Sequence, residues 1–159
     1  MDNVQVAKNI IRETIYAVLG TASSDGMPWI SPVFFAYDDS FNIYWVSNKD
    51  SLHSQLLREN PEVAITIFDS RAVEGEGDAV YMRARVEELA EKEDIENGVR
   101  VFNARATGED FKIKEISEVI GEGVWRIYKA TSYETTKLGK GQFIHGQYVD
   151  MRIPISLAG

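Results

Sequence analysis

The sequence predicts a mainly β protein: an antiparallel sheet, closed or nearly closed into a small barrel, with peripheral helices. Three observations carry that prediction. Alternating apolar and polar residues recur along the chain, most cleanly over residues 79–89. Short turn signals, Ser24-Asp25-Gly26 and Asp38-Asp39-Ser40, join the early segments as hairpins. Helical spacing is confined to a few separate stretches, and the chain has no internal repeat or low-complexity tract.

Taken in order, Val4, Ala7, Ile10, Ile11 and Thr14 recur at helical spacing, so residues 3–14 read as an amphipathic helix with Asp2 as its N-cap. Residues 16–23 read as a strand and 28–37 as the returning strand. Pro28 and Pro32 put that second strand at an edge or make it irregular. A third strand covers 41–47. Residues 50–59 form a short helix, with Asp50 or Ser51 as cap, Leu52, Leu56 and Leu57 as its apolar face, and Asn60-Pro61 as its stop. A strand over 63–69, a polar loop from Ser70 to Asp78 and a strand over 79–89 follow. In the last, Val80, Met82, Ala84 and Val86 face one side, and Tyr81, Arg83, Arg85 and Glu87 the other. Glu91 to Ala106 reads as a helix whose acidic first half suits the positive end of its dipole. A short helix is expected within 110–120, over Ile113, Ile116 and Ile120. Two strands, 123–134 and 147–155, close the chain, with Lys137 to Gly141 as a mobile loop and Ala158 and Gly159 as a frayed tail.

The 159 residues fit one domain spanning the chain, large enough to fold without a metal or disulfide. With no cysteine, disulfides, thiolate metal sites and cysteine nucleophiles are excluded, which is permissive of a cytoplasmic location. The first twenty residues lack a signal-peptide layout, and no run approaches the roughly 20 apolar residues of a membrane span. The net charge of −8, with no obvious basic face, argues against nucleic acid as a partner.

The familiar dinucleotide, P-loop, zinc-protease and serine-hydrolase motifs are missing. His53 and His145, the only histidines, are too few for a histidine metal centre. The strongest local feature is a strand that ends in Ser47, is followed by Lys49, and gives way to a helix that starts near Ser51 with His53 on its first turn. Hydroxyls, a lysine, a histidine and free helix N–H groups converge there, an arrangement suited to a phosphate; the plainer reading is an ordinary cap beside a solvated lysine. Arg83 and Arg85 lie on a polar strand face and either reach a ligand or pair across strands. Trp125 either joins the core or stacks on a ligand. Tyr44 and Trp45 are expected to pack, one of them facing the core.

The segments SSDGMPWISPV (23–33), IYWVS (43–47), the stretch around Ser51 and His53, and LLRENPEVAI (56–65) stand in an order that resembles the pyridoxamine 5'-phosphate oxidase-like, FMN-binding split-barrel superfamily. The resemblance covers residues 8–90 and, less closely, 122–155. It implies a six- to seven-stranded antiparallel split barrel acting as a homodimer, with two FMN sites at the interface. It places Trp29, Ile30, Ser31, Pro32 and Val33 along the flavin ring and Ser47, Ser51 and His53 around the phosphate; in such a dimer the ligand-stacking alternative for Trp125 would act from the partner chain. The family usually has a lysine or arginine where this chain has His53, and often a basic residue at Leu52; Lys49 is expected to compensate in part. The activity implied is that of an FMN-dependent oxidoreductase of unknown substrate, using a small-molecule electron donor or acceptor. The alternatives are a non-catalytic or stress-linked flavin protein, or a related barrel holding deazaflavin or heme. An authentic pyridoxamine 5'-phosphate oxidase is not expected: His145 to Asp150 lacks the arginine of the corresponding family signature, and Ala79 stands where those enzymes place a glutamine.

Overall fold

The elements follow from where the alternating pattern runs and where it breaks. The computed structural model describes residues 2–157. Their order is α1 (Asn3–Glu13), β1 (Tyr16–Ala22), β2 (Pro28–Phe34), β3 (Ala36–Tyr37), β4 (Ile43–Asn48), α2 (Leu52–Glu59), β5 (Glu62–Phe68), β6 (Ala79–Glu88) and α3 (Lys92–Arg105). Two single 3-10 turns, Glu109–Phe111 and Ile116–Glu118, precede β7 (Trp125–Leu138), β8 (Gln142–Ile144), β9 (Gln147–Val149) and β10 (Arg152–Pro154). Asp2 caps α1, its carboxylate accepting from the Gln5 N–H at 2.7 Å.

Seven strands pair antiparallel in the order β2-β1-β5-β6-β7-β4-β3, and β10 adds to β7. The outermost two, β2 and β3, are consecutive in the chain and separated only by Phe35. The ends of the sheet therefore meet at one residue, and a split barrel results. Phe35 is fully buried, and its N–H donates to the Ile15 carbonyl. The continuous strand expected over 28–37 is thus two strands: the chain leaves β1 at Phe35 and pairs next with β4.

Two cores lie on opposite sides of the sheet. The first fills the barrel with Leu19, Val33, Phe35, Trp45, Ile65, Val80, Met82 and Tyr128, and α1 adds Ala7 and Ile11. The second lies outside, where α3 packs Ile95, Val101 and Phe102 on Tyr44 and Ile127. Tyr44 and Trp45 are both buried, one in each core. The inward residues expected on β6 are buried as read. Arg83 pairs with Glu134 and Arg85 with Glu62, each at 3.1 Å, which is the cross-strand alternative.

The C-terminal part departs most from expectation. Instead of a mobile loop, Lys137 and Leu138 continue β7 to fourteen residues, with Lys137 buried and its ammonium 2.5 Å from Asp78. The strand expected over 147–155 is instead the second arm of a hairpin, β8–β9, followed by β10. The tip of that hairpin is His145-Gly146, both with positive φ, of 49° and 79°. Residues 110–120 contain only the two 3-10 turns rather than a helix. Ala158 and Gly159, expected to fray, lie outside the described residues. Among the described residues no helix is long and apolar enough to cross a membrane.

The outer face of β2, β1, β5 and β6 carries neither helix nor core. The register lines up Ile30, Gly20, Ala64 and Arg83 in one row and Pro32, Val18, Thr66 and Tyr81 in the next. All of these but Pro32 border a shallow cavity of about 410 Å³.

Candidate functional site

Period-2 alternation along β4 sends Ile43, Trp45 and Ser47 to the inner side of the barrel. Ser47 is the last of these and the only polar one, so a buried hydroxyl stands at the barrel's end, beside the start of α2. The turn between them is set by backbone and amide groups. Asn48 Oδ1 accepts from the Asp50 N–H at 2.8 Å, and the Ser51 N–H donates to the Asn48 carbonyl at 3.1 Å. Lys49 is half-buried; its N–H donates to the Val124 carbonyl at 2.9 Å, and its own carbonyl accepts from Arg58 at 2.6 Å.

α2 turns back over this junction. His53 Nε2 lies 2.8 Å from Ser47 Oγ and 3.2 Å from Ser51 Oγ. Ser51 occupies the N-cap position, yet its hydroxyl caps no helix N–H; it hydrogen-bonds Ser54 Oγ at 2.8 Å. The first N–H groups of a helix have no partner inside the helix, so those of α2 remain available beside two hydroxyls and an imidazole. Burial holds the His53 pKa below its ordinary value, so the ring is neutral in the ligand-free chain at neutral pH.

The structure brings Ser47, Ser51 and His53 into one cluster. Trp125 stands opposite Asn48 at the start of β7, next to the same junction and in the same chain. Lys49 stands on the connecting turn. Trp29 to Val33 form β2, where they do not share one face: Ser31 and Val33 are buried on the barrel side, whereas Ile30 and Pro32 project from the outer face. Trp29 Nε1 donates to Ser31 Oγ at 3.1 Å, which ties the partly exposed indole to its own strand. β2 lies against both α2 and β4, so it borders the junction.

The sequence reading missed Ser54, which is fully buried, and behind it Tyr128, Glu88, Arg58 and Arg126. Tyr128 donates to Glu88 at 3.3 Å, and Glu88 is held by Arg58 at 3.0 Å and Arg126 at 3.4 Å. Ser54 was findable, since it sits one helical turn from Ser51. Arg58 lies one turn beyond Ser54 on α2, whereas Tyr128, Glu88 and Arg126 come to this end of the barrel only through strand register. Among the described residues no group of His, Cys, Asp or Glu is arranged to hold a metal ion.

Comparison with known proteins agrees with this architecture. One solved neighbour is a candidate 5-nitroimidazole antibiotic resistance protein from Bacteroides thetaiotaomicron, at 17% identity and a TM-score of 0.69, aligned over 86% of this chain and 84% of the other. A heme binding protein from Mycobacterium smegmatis aligns at 14% identity and a TM-score of 0.71, over 96% of this chain but 58% of its own. A heme storage protein from Vibrio cholerae aligns at 18% identity and a TM-score of 0.63, over 82% and 89%. At such identities the likeness is one of fold. No curated protein sequence matches the chain. The pyridoxamine 5'-phosphate oxidase family matches residues 4–131, from the first turn of α1 to the middle of β7. The chain therefore belongs to the pyridoxamine 5'-phosphate oxidase family.

Proposed function

We propose that this chain is an FMN-binding oxidoreductase that works as a homodimer, with the flavin phosphate at the β4–α2 junction. The observation that carries this reading is the convergence of Ser47, Ser51 and His53 on a helix start that no side chain caps. Neutral hydroxyl donors, helix N–H groups and an imidazole fit a phosphate, and Lys49 can add a positive charge. Trp29 to Val33 would follow the ring, and Trp125, opposite Asn48 at the start of β7, would pack beside it. When bound, FMN supplies the electron and hydride chemistry, so the chain needs only to bind and orient it for a small-molecule donor or acceptor.

Ile30, Pro32 and Ala64 are exposed on the outer face of β2, β1, β5 and β6, and such apolar exposure supports self-association through that face. An acidic, cysteine-free chain forming one domain fits the cytoplasm. Two features support a substrate other than pyridoxamine 5'-phosphate. Ala79 is buried and offers no side-chain hydrogen bond. His145 to Asp150, the exposed tip and second arm of the β8–β9 hairpin and the residue after it, offers no arginine to grip a phosphate dianion.

The test is the absorbance spectrum of the purified full chain, the identity of the released chromophore, and fluorescence titration with FMN. Flavin bands, released FMN and saturable quenching are expected. A colourless protein that leaves FMN fluorescence unchanged would overturn the reading, and an intense heme band would replace it. Oxidation of NADH or NADPH with an added acceptor separates an enzyme from a carrier. Turnover of pyridoxamine 5'-phosphate at ordinary enzymatic rates would overturn the exclusion of that substrate.

A further inference from the structure

Glu88 ends β6, and each of its carboxylate oxygens faces a different arginine. Oε2 accepts from Arg58 Nε at 3.0 Å and from the Tyr128 hydroxyl at 3.3 Å, and Oε1 lies 3.4 Å from Arg126 Nε. Both arginines reach on to backbone carbonyls. Arg58 Nη2 donates to Lys49 at 2.6 Å. Arg126 donates from Nη1 to Gly123 at 2.7 Å and Trp125 at 2.6 Å, and from Nη2 to Gly121 at 2.6 Å. The two arms meet where the Lys49 N–H donates to the Val124 carbonyl at 2.9 Å. A closed ring results, running from Glu88 through Arg58, Lys49, Val124 and Arg126 back to Glu88.

This ring frames the β4–α2 junction. Register sets Arg126 opposite Ser47 and Trp125 opposite Asn48, and Glu88 opposite Tyr128. Cross-strand partners share a face of the sheet, so Arg126 stands on the same side as the Ser47 hydroxyl. The Arg126 side chain is only 14% exposed and that of Glu88 28%, so water screens the pair weakly. We infer that Glu88 is a positioning residue for the junction: through Arg58 it fixes the Lys49 turn, and through Arg126 it fixes Trp125. Its own oxygens are taken by the arginines, so it acts through them. The ligand that benefits rests on the phosphate site proposed above; the clamp on Lys49 does not.

Two variants of the full chain test this. Glu88→Gln removes the carboxylate and frees both arms. Arg58→Met cuts only the arm to Lys49, and it should fold, because the Arg58 side chain is 42% exposed. The first readout is amide hydrogen exchange without ligand. Met82, on β6 between β5 and β7, is the reference for global opening. In both variants Lys49 should exchange about tenfold faster relative to Met82, the scale of one lost hydrogen bond. The second readout is fluorescence titration with FMN and with riboflavin, the same ring system without the phosphate. Arg58→Met should lower FMN affinity about tenfold and leave riboflavin affinity unchanged, whereas Glu88→Gln should lower both as Trp125 loosens too. Lys49 exchange that only keeps pace with Met82, or an Arg58→Met chain that loses riboflavin as much as FMN, would overturn the positioning role. A natural chain that binds riboflavin as tightly as FMN would instead overturn the phosphate placement, and exchange at Lys49 would still decide the clamp.

Discussion

Nη2 of Arg105 lies 2.9 Å from the Ile11 carbonyl oxygen, so α3 closes the C-terminal end of α1. The same nitrogen reaches the Thr14 carbonyl at 2.5 Å, and the guanidinium lies 4.4 Å from the Phe35 ring and 4.7 Å from that of Tyr37. A cation at a helix C-terminus satisfies carbonyls the helix cannot, and the planar group also stacks. Arg105→Met should cost about 2–3 kcal/mol and lower the melting temperature by roughly 4–10 °C. Arg105→Lys should recover only part, because an ammonium lacks the flat fork. Thermal and urea unfolding check both values.

The pH dependence of FMN binding follows from His53. Burial depresses its pKa in the free chain, and a bound phosphate favours the charged ring. Binding therefore takes up a proton between the two pKa values. Affinity should rise as pH falls through that window and level off above it. A charge-assisted bond of about 1.5–3 kcal/mol corresponds to a gain of roughly ten- to hundred-fold. His53→Ala should flatten the curve and lose most at low pH, whereas His53→Lys should flatten it while keeping affinity. Without FMN the sign reverses. A folded-state pKa below the unfolded one stabilises the chain above the unfolded value, near 6.5, and that contribution is lost as pH falls. Fluorescence titration and melting curves across mildly acidic to mildly alkaline pH separate the two effects.

Ala64 is exposed on the outer face, in the row with Ile30, Gly20 and Arg83. Ala64→Glu should fold normally, because its side chain points away from both cores. At a two-fold interface it would set carboxylates into apolar surface, so light scattering should report a monomer where the natural chain is a dimer. FMN affinity should drop at least tenfold with it if the flavin needs both chains. A natural chain that is monomeric at micromolar concentration with FMN still bound would rule out the shared site.

Gly123 sits just before β7, where a Cβ would lie 2.5 Å from the carbonyl oxygens of Ser117 and Glu118. Those are backbone atoms and cannot swing aside. The Gly123 carbonyl accepts from Arg126 at 2.7 Å, and the next residue gives its carbonyl to Lys49. Gly123→Ala should therefore destabilise the chain by about 1–3 kcal/mol and weaken FMN binding as the Lys49 turn loosens. Urea unfolding with parallel FMN titration measures both.

What could be read from the sequence was local. The alternation of β6, the cap at Asp2 and the cluster of Ser47, Ser51 and His53 each follow from spacing within one element or across one turn. The features missed depend on distant partners. Lys137-Leu138-Gly139-Lys140-Gly141 has the composition of a loop, and it takes Asp78 from across the fold to keep Lys137 in a strand. His145-Gly146 is a less familiar turn pair than Asn-Gly, so one strand was read where a hairpin stands. The break at Phe35 has no local signal, because it arises only when the sheet's two ends come together. Tyr128 and Glu88 reach the junction by register, which no spacing along the chain encodes.

Placing the seam of the barrel at Phe35 also bears on how the molecule avoids polymerising. An open sheet offers two edges, each a template on which a foreign strand can grow. Here one edge is β3, only two residues long, which gives an incoming strand little to pair with. The other is β2, where Pro28 and Pro32 withhold two of the N–H groups such growth would require. Neither edge can be lengthened without pulling the other apart, because a single residue joins them. The prolines that make β2 a poor strand thus also make it a poor seed, and replacing both with residues that carry an N–H should shorten the lag time of fibril formation under partly denaturing conditions.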